Sequence, residues 1–448
     1  MTAIHARRAF LPQGWQEDVR LELSGGRIGS VTAGVPAQPG DECHGTLLPG
    51  LANLHSHAFQ HAMAGLAEQR GPGSDSFWSW RETMYRFALT MTPDDVEAVA
   101  AHLYMQMLEA GFTRVGEFHY LHHDRDGAPY GTLSEMAQRI AAASTGTGIN
   151  LTLLPVFYAR SGFGGTPGAQ GQRRFLNDPD RFARLMDDCR ALLTGVPGAV
   201  LGIAPHSLRA ATPEDLAQIL PLAQGGPVHI HVAEQVKEVE DCIAWSGARP
   251  VEWLLKNAPV DESWCLIHAT HMTPAETRAM AAAGAVAGLC PITEANLGDG
   301  IFDAPTFLDA GGHFGVGSDS NILISLPEEL RTLEYSQRLG LRARNVVADP
   351  CGSTGEHLFR AAMIGGARAL QADMGLRAGA EADMVTLDTT AAAHVPTEQI
   401  LDHWTFARGI AVDCVWAGGR RQVVGGRHVQ RDTIARAHGR ALEGLMRS

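Results

Sequence analysis

Apolar and polar positions follow two different rhythms along this chain. From residue 2 to 46 the apolar runs are short and turn-rich, and RLELSGGRIGSV reads as a hairpin around Gly25 and Gly26. The same texture returns after about residue 378, in ADMVTLD, GIAVDCVWAGG and RQVVGGRHV. Between these ends, strand-length apolar runs take turns with helical stretches, which predicts parallel βα units. The runs are LLPGLANLHSH (47–57), TRVGEFHY (113–120), INLTLLPVFY (149–158), AVLGIAPHSLR (199–209), PVHIHVAE (227–234), WCLIHATH (264–271), AVAGLCPIT (285–293) and HFGVGSDS (313–320). Helices are predicted over 92–111 and 273–284, each opened by a Thr suited to capping and closed by a Gly. Eight such runs predict an α/β chain with a (β/α)8 TIM barrel over residues 47–377. Residues 1–46 and 378–448 together predict a small β-sandwich domain built from both termini.

Composition narrows the function classes. A net charge of −13 disfavours nucleic acid and anionic membrane as partners. The apolar runs are of strand length, too short to span a membrane, and MTAIHARRAF does not read as a secretory signal, so a cytoplasmic location is expected. The cysteines Cys43, Cys189, Cys242, Cys265, Cys290, Cys351 and Cys414 are scattered without a CxxC pair, which argues against a disulfide framework or a thiolate metal site. The Gly-rich stretch GFGGTPGAQGQ (162–172) is not followed by GK[ST] and does not read as a phosphate loop.

The chemistry collects at the ends of the apolar runs, where barrel strands face one cavity. His55 and His57 close the first run, His206 and Arg209 the fourth, His231 and Glu234 the fifth, His268 the sixth and Asp319 the eighth. Residues i and i+2 of a strand point the same way, so His55 and His57 can share one ion. An HxH pair also arises by chance in a chain with 20 His; His231 and Asp319 at other strand ends give it meaning. Three imidazoles and a carboxylate suit Zn2+, with Fe2+ the other candidate, and leave room for a water. Glu234 reads as a proton shuttle and His268 as a second acid–base group, although helix-start charge and structural hydrogen bonding account for such residues elsewhere. His229 and His271 read as supporting residues, set apart by parity and position.

Taken together, NLHSHAFQHAMAGLAE, DSFWSWRETMYR, GEFHYLHHD, GFGG with GQRRF, HSLRA, HIHVAEQVKEV, IHATH, TEANLGDGIF and GSDS resemble the formimidoylglutamate deiminase family of the amidohydrolase superfamily. The resemblance covers most of the barrel. It implies a dicarboxylate substrate, N-formimidoyl-L-glutamate, hydrolysed to N-formyl-L-glutamate and ammonia in histidine degradation, by a homodimer. Positions matching Gln60, Arg81, Tyr120, His206 and Arg209 contact substrate in that family. A guanidinium grips a carboxylate bidentately, which suits Arg81 and Arg209; Arg81 also reads as a loop salt bridge. Binuclear relatives bridge two metals through a lysine after strand four. This chain has only Lys237 and Lys256, neither at that place, so one divalent ion per subunit is expected.

In the expected mechanism His55, His57, His231 and Asp319 hold the ion. Asp319 or His268 takes a proton from water at the ion, hydroxide attacks the formimidoyl carbon, and Glu234 protonates the departing nitrogen. His268 also stabilises the tetrahedral intermediate. Asn321 departs from the resemblance, which implies His there, and is expected to tune activity. Two rival readings stand: an aminohydrolase acting on a purine- or pyrimidine-type ring, and an inactive barrel used for binding.

Overall fold

The computed structural model describes residues 2–70, 77–350 and 352–447. Cys351, and Asp75 and Ser76 of the DSFWSWRETMYR segment, lie outside the described residues. The chain begins with β1 (Thr2–Leu11), β2 (Gly14–Ser24), β3 (Arg27–Thr32) and β4 (Glu42–Pro49). The expected hairpin is present, β2 pairing antiparallel with β3 around Gly25 and Gly26, both with positive φ.

The barrel follows, its strands being β5 (Leu51–Ser56), β6 (Phe112–His119), β7 (Asn150–Phe157), a broken fourth position made of β8 (Val200–Leu201) and β9 (Ala204–Pro205), β10 (Val228–Val232), β11 (Trp264–His268), β12 (Val286–Leu289) and β13 (His313–Val316). All eight predicted runs contribute. The pairings are parallel and fall into two ladders, β5 to β9 and β10 to β13. Isolated bridges Ile203↔Val228 and Ser207↔His231 join the ladders on one side, and Ser56↔Asp319 closes the other. Helices sheathe the strands, so these read as apolar runs with little alternation.

The run 47–57, read as one strand, is two. Leu47–Pro49 belongs to β4 of the terminal sheet, and the barrel starts at Leu51. Gly50 marks the change of sheet: a Cβ there would land on the buried Thr113 side chain. The returning chain adds β14 (Met384–Asp388), β15 (Ala411–Ala417), β16 (Arg420–Val424) and β17 (Arg427–His428), giving the order β17-β16-β15-β14-β4-β1-β2-β3. This single path folds over on itself, since Ile28 N–H donates to Ala380 O and Ala382 N–H to Gly26 O, both at 2.9 Å. A separate apolar core including Ile4, Leu21, Ile28, Leu47, Met384 and Trp416 fills the space enclosed.

Helices packed around the strands include α1 (Phe77–Ala88), α2 (Pro93–Glu109), α3 (Val236–Ser246), α4 (Pro291–Leu297), α5 (Thr354–Ala369) and α6 (Arg431–Arg447). Helix α2 starts as expected, with Thr92 and Asp95 forming a reciprocal capping box. The predicted helix over 273–284 is observed as Pro274–Ala283, capped by Thr273 and ended by Gly284 at φ 82°. Helix α6, in a region whose pattern predicts only β structure, packs on α2 and is tied there by the Arg431–Glu109 ion pair.

Candidate metal and active site

Four side chains meet at the carboxyl end of the barrel. His55 lies on β5 and His57 just past it, His231 is on β10, and Asp319 follows β13. His55 Nε2 is 3.2 Å from His57 Nε2, 3.1 Å from His231 Nε2 and 3.3 Å from Asp319 Oδ1. His57 Nε2 is 3.1 Å from the same carboxylate oxygen. All four residues are buried. The backbone fixes this convergence, since Asp319 N–H donates to His55 O at 2.9 Å and His57 N–H to Asp319 O at 3.0 Å.

The tautomers explain why the cluster fits a cation. His57 Nδ1–H donates to Phe118 O and His231 Nδ1–H to His206 O, each at 3.0 Å. Both Nε2 atoms therefore present lone pairs to the same point. Buried lone pairs in mutual contact are costly unless something positive lies between them. Burial pushes the His55 imidazole down to about 3, so it stays neutral at pH 7. For Asp319, burial favours the acid form, yet the close His55 and His57 rings and the His268 charge hold it well below the usual carboxylate range. Three imidazoles and a carboxylate form a ready donor set for a divalent ion.

Glu234 and His268 stand beside this set. His268 Nε2 is 3.9 Å from Glu234 Oε1 and 3.8 Å from Asp319 Oδ2, and its Nδ1–H donates to Glu294 Oε1 at 3.2 Å. Burial alone would depress the His268 imidazole, but Glu234, Glu294 and Asp319 together lift it to about 10. Burial raises the Glu234 carboxyl, against the pull of His268 and Arg209. His268 and Asp319 have φ of 66° and 46°, and Asn321 has 60°, so the strand ends carry left-handed, non-glycine backbone where the chemistry gathers.

Gln60, Arg81, Tyr120, His206 and Arg209 line the same cavity as His57, His231, Glu234, His268 and Asp319. His55 lies beneath, wholly buried. Gln60 Nε2 donates to Tyr120 Oη at 2.7 Å, while Gln60 Oε1 and Arg209 Nε are buried without partners. Unsatisfied buried atoms in a cavity mark places for a ligand to bond. Arg81 projects from α1 with its guanidinium over the rings of Trp78 (4.5 Å) and Tyr85 (5.6 Å). It is thus a helix residue and not part of the loop the sequence suggested.

The structure also supplies groups that the sequence reading passed over. Tyr85, Tyr158 and Phe175 complete the walls, and Gln172 Nε2 donates to the hydroxyls of Tyr158 (2.8 Å) and Tyr85 (3.2 Å). Asn321 Nδ2 donates to His57 O at 3.0 Å and Ser318 Oγ donates to Asn321 Oδ1, so Asn321 braces the Asp319 turn. His229 corrects the parity argument: it shares strand parity with His231 and is set apart by depth, its Nε2–H donating to Ala369 O at 2.8 Å. Lys237 points to solvent and pairs with Asp241 at 2.8 Å.

Residues 46–421 match the family described as "Amidohydrolase family", and residues 1–45 match "Formimidoylglutamate deiminase HutF, N-terminal domain". The formimidoylglutamate deiminase of Pseudomonas aeruginosa is 49% identical over 453 residues, with 100% of each chain covered. A 5-methylthioadenosine/S-adenosylhomocysteine deaminase of Natronomonas pharaonis is 28% identical over 91% of this chain and 86% of its own. Among solved structures, an amidohydrolase from Brucella melitensis superposes with TM-score 0.98 at 61% identity, covering 100% of both chains. An adenosine deaminase from Xanthomonas campestris with bound zinc shares the fold, with TM-score 0.83 at 24% identity over 100% and 98% of the two chains.

Proposed function

Because this chain belongs to the amidohydrolase family, whose members are metal-dependent hydrolases, we propose that it hydrolyses N-formimidoyl-L-glutamate to N-formyl-L-glutamate and ammonia, in histidine degradation. The observation that carries this reading is one cavity lined by His57, His231 and Asp319 of the four-residue donor set together with two arginines. The protein is acidic overall, at −13, so cations gathered in its cavity serve an anionic ligand.

His55, His57, His231 and Asp319 would hold one divalent ion, Zn2+ by donor type with Fe2+ the alternative. Such an ion supplies Lewis acidity that brings the deprotonation of water into the neutral range. Arg81 and Arg209 hold the two substrate carboxylates, while Gln60, Tyr120 and His206 orient the formimidoyl end through neutral hydrogen bonds. Asp319 accepts the water proton at Oδ2, the oxygen 3.8 Å from His268 Nε2. His268 donates from Nε2 to the tetrahedral intermediate, and Glu294 anchors its other nitrogen. Glu234, whose carboxyl burial raises, delivers a proton to the formimidoyl nitrogen and takes back the hydroxyl proton of the intermediate as ammonia leaves with the proton that Asp319 held. A homodimer in the cytoplasm belongs to the same reading.

The aromatic wall of Phe77, Trp80, Tyr85, Tyr120, Tyr158 and Phe175 favours a second reading, deamination of a ring substrate. Ammonia release measured on N-formimidoyl-L-glutamate and on a panel of purines and pyrimidines decides between them. Turnover of the formimidoyl compound alone is expected. Turnover confined to a base would overturn the proposal.

A further inference from the structure

A second cluster of imidazoles lies apart from the site just described. His61 stands on the turn after β5, His102 on α2 and His438 on α6, and one ring nitrogen of each lies within 4.8 Å of the other two. His61 Nε2 is 3.2 Å from His102 Nδ1, and the His102 and His438 rings stack with centroids 3.9 Å apart. The His61 tautomer is set from behind, where its Nδ1–H donates to Asn321 O at 2.9 Å. Its Nε2 lone pair is therefore turned toward the other two rings. A hydrogen bond from His102 Nδ1–H to that lone pair accounts for two nitrogens, but His438 Nε2 remains buried with no partner.

The charge state suits a cation. Burial and then neighbouring imidazoles hold His102 down at about 3 and His438 at about 4, and burial lowers His61, so all three are neutral at pH 7. Neutral imidazole is the form that ligates metal. Arg431, whose charge reaches His102, is already paired with Glu109. The cluster borders a surface hollow of about 540 Å³, also lined by Gln106 and Glu109, with room for water at a fourth position.

We propose that His61, His102 and His438 form a second metal site, for a divalent transition ion of the Zn2+ type. Zinc–nitrogen bonds of about 2.0–2.1 Å place tetrahedral donors roughly 3.3 Å apart, so His102 and His438, stacked at 2° with centroids 3.9 Å apart, tilt out of their parallel planes to aim both lone pairs at one ion. The bound ion ties α6 and α2 to the turn after β5 that carries His61.

The test uses Zn2+ alone as the probe. Full-length protein is stripped with a chelator and titrated in competition with a chromophoric chelator. Two equivalents per chain are expected for the wild type, one for His438→Ala and one for Asp319→Ala, with turnover retained in His438→Ala. A wild type that takes up one equivalent, or a His438→Ala variant that still takes up two, would overturn the proposal. His102→Gln reads the same outcome should His438→Ala not accumulate as folded protein.

Discussion

At the scale of single residues, the site separates proton transfer from ion binding. Glu234 is absent from the four-residue donor set but lies 3.9 Å from the His268 imidazole. Glu234→Gln is therefore expected to keep its bound ion and lose kcat by about 10²–10⁴-fold. Metal analysis alongside steady-state kinetics checks both halves, and near-normal turnover would remove Glu234 from the mechanism. Arg209 tests the substrate side. Arg209→Lys keeps the charge but not the paired donors, and KM is expected to rise roughly 10–100-fold, the worth of a charged hydrogen bond, with kcat less changed. The residues named from sequence share one property: most sit at or just beyond a strand end, where strand parity and barrel geometry speak directly. Tyr158, at the end of the third run, obeyed the same rule and was open to the same reading. Glu294 and Tyr85 did not, because Glu294 reaches His268 from helix α4 and Tyr85 reaches the cavity from helix α1, and the orientation of both helices depends on packing between distant segments.

At the scale of elements, apolar pattern was a good guide to strands and a poor one to where a strand changes sheets. The run 47–57 reads as one strand, yet the backbone switches from the sandwich to the barrel at Gly50, whose N–H donates to Asp383 O at 2.9 Å. Nothing in the pattern separates Pro49 from Leu51. The missing side chain does, because Thr113 occupies that space and its Oγ1–H donates to Leu51 O. Gly50→Ala is expected to lower stability by about 1–3 kcal/mol, the cost of overpacking a tight core. Denaturant unfolding measures it, and an unchanged midpoint would mean that Thr113 can turn aside at no cost. Helix α6 escaped for a different reason. It buries only Ile434, Ala441 and Leu445, too thin an apolar stripe to stand out from the β texture before it.

At the scale of the whole molecule, the many buried histidines make the fold sensitive to acid. His119 and His229 lie outside the metal donor set, and both are fully buried. Burial holds His119 down at about 3; for His229 it outweighs the bond to Ala369 and leaves the ring at about 4. In the unfolded chain an imidazole titrates near 6.5. Between these values the unfolded state binds more protons than the folded one, so stability is full above pH 6.5 and falls as acid is added. Each ring contributes a loss of about 1.4 kcal/mol per pH unit below 6.5, and the two together about 5 kcal/mol by pH 4.5. Asp383 works in the opposite direction. Burial lifts its carboxyl to about 6, so the folded state gains protons first as pH falls, which offsets roughly 2 kcal/mol of the loss by pH 4.5. Glu117 and Asp299, lifted by burial to about 7 and about 8, act with Asp383. His102 and His438, held at about 3 and about 4, act with His119 and His229. The imidazoles outweigh the carboxyls, and the urea midpoint is expected to fall from about pH 6.5 to 4.5. His229→Gln retains an N–H for Ala369 O while removing one titrating ring, so its slope against pH should be shallower by that ring's share. Parallel slopes for the variant and the wild type would show that acid acts elsewhere in the molecule.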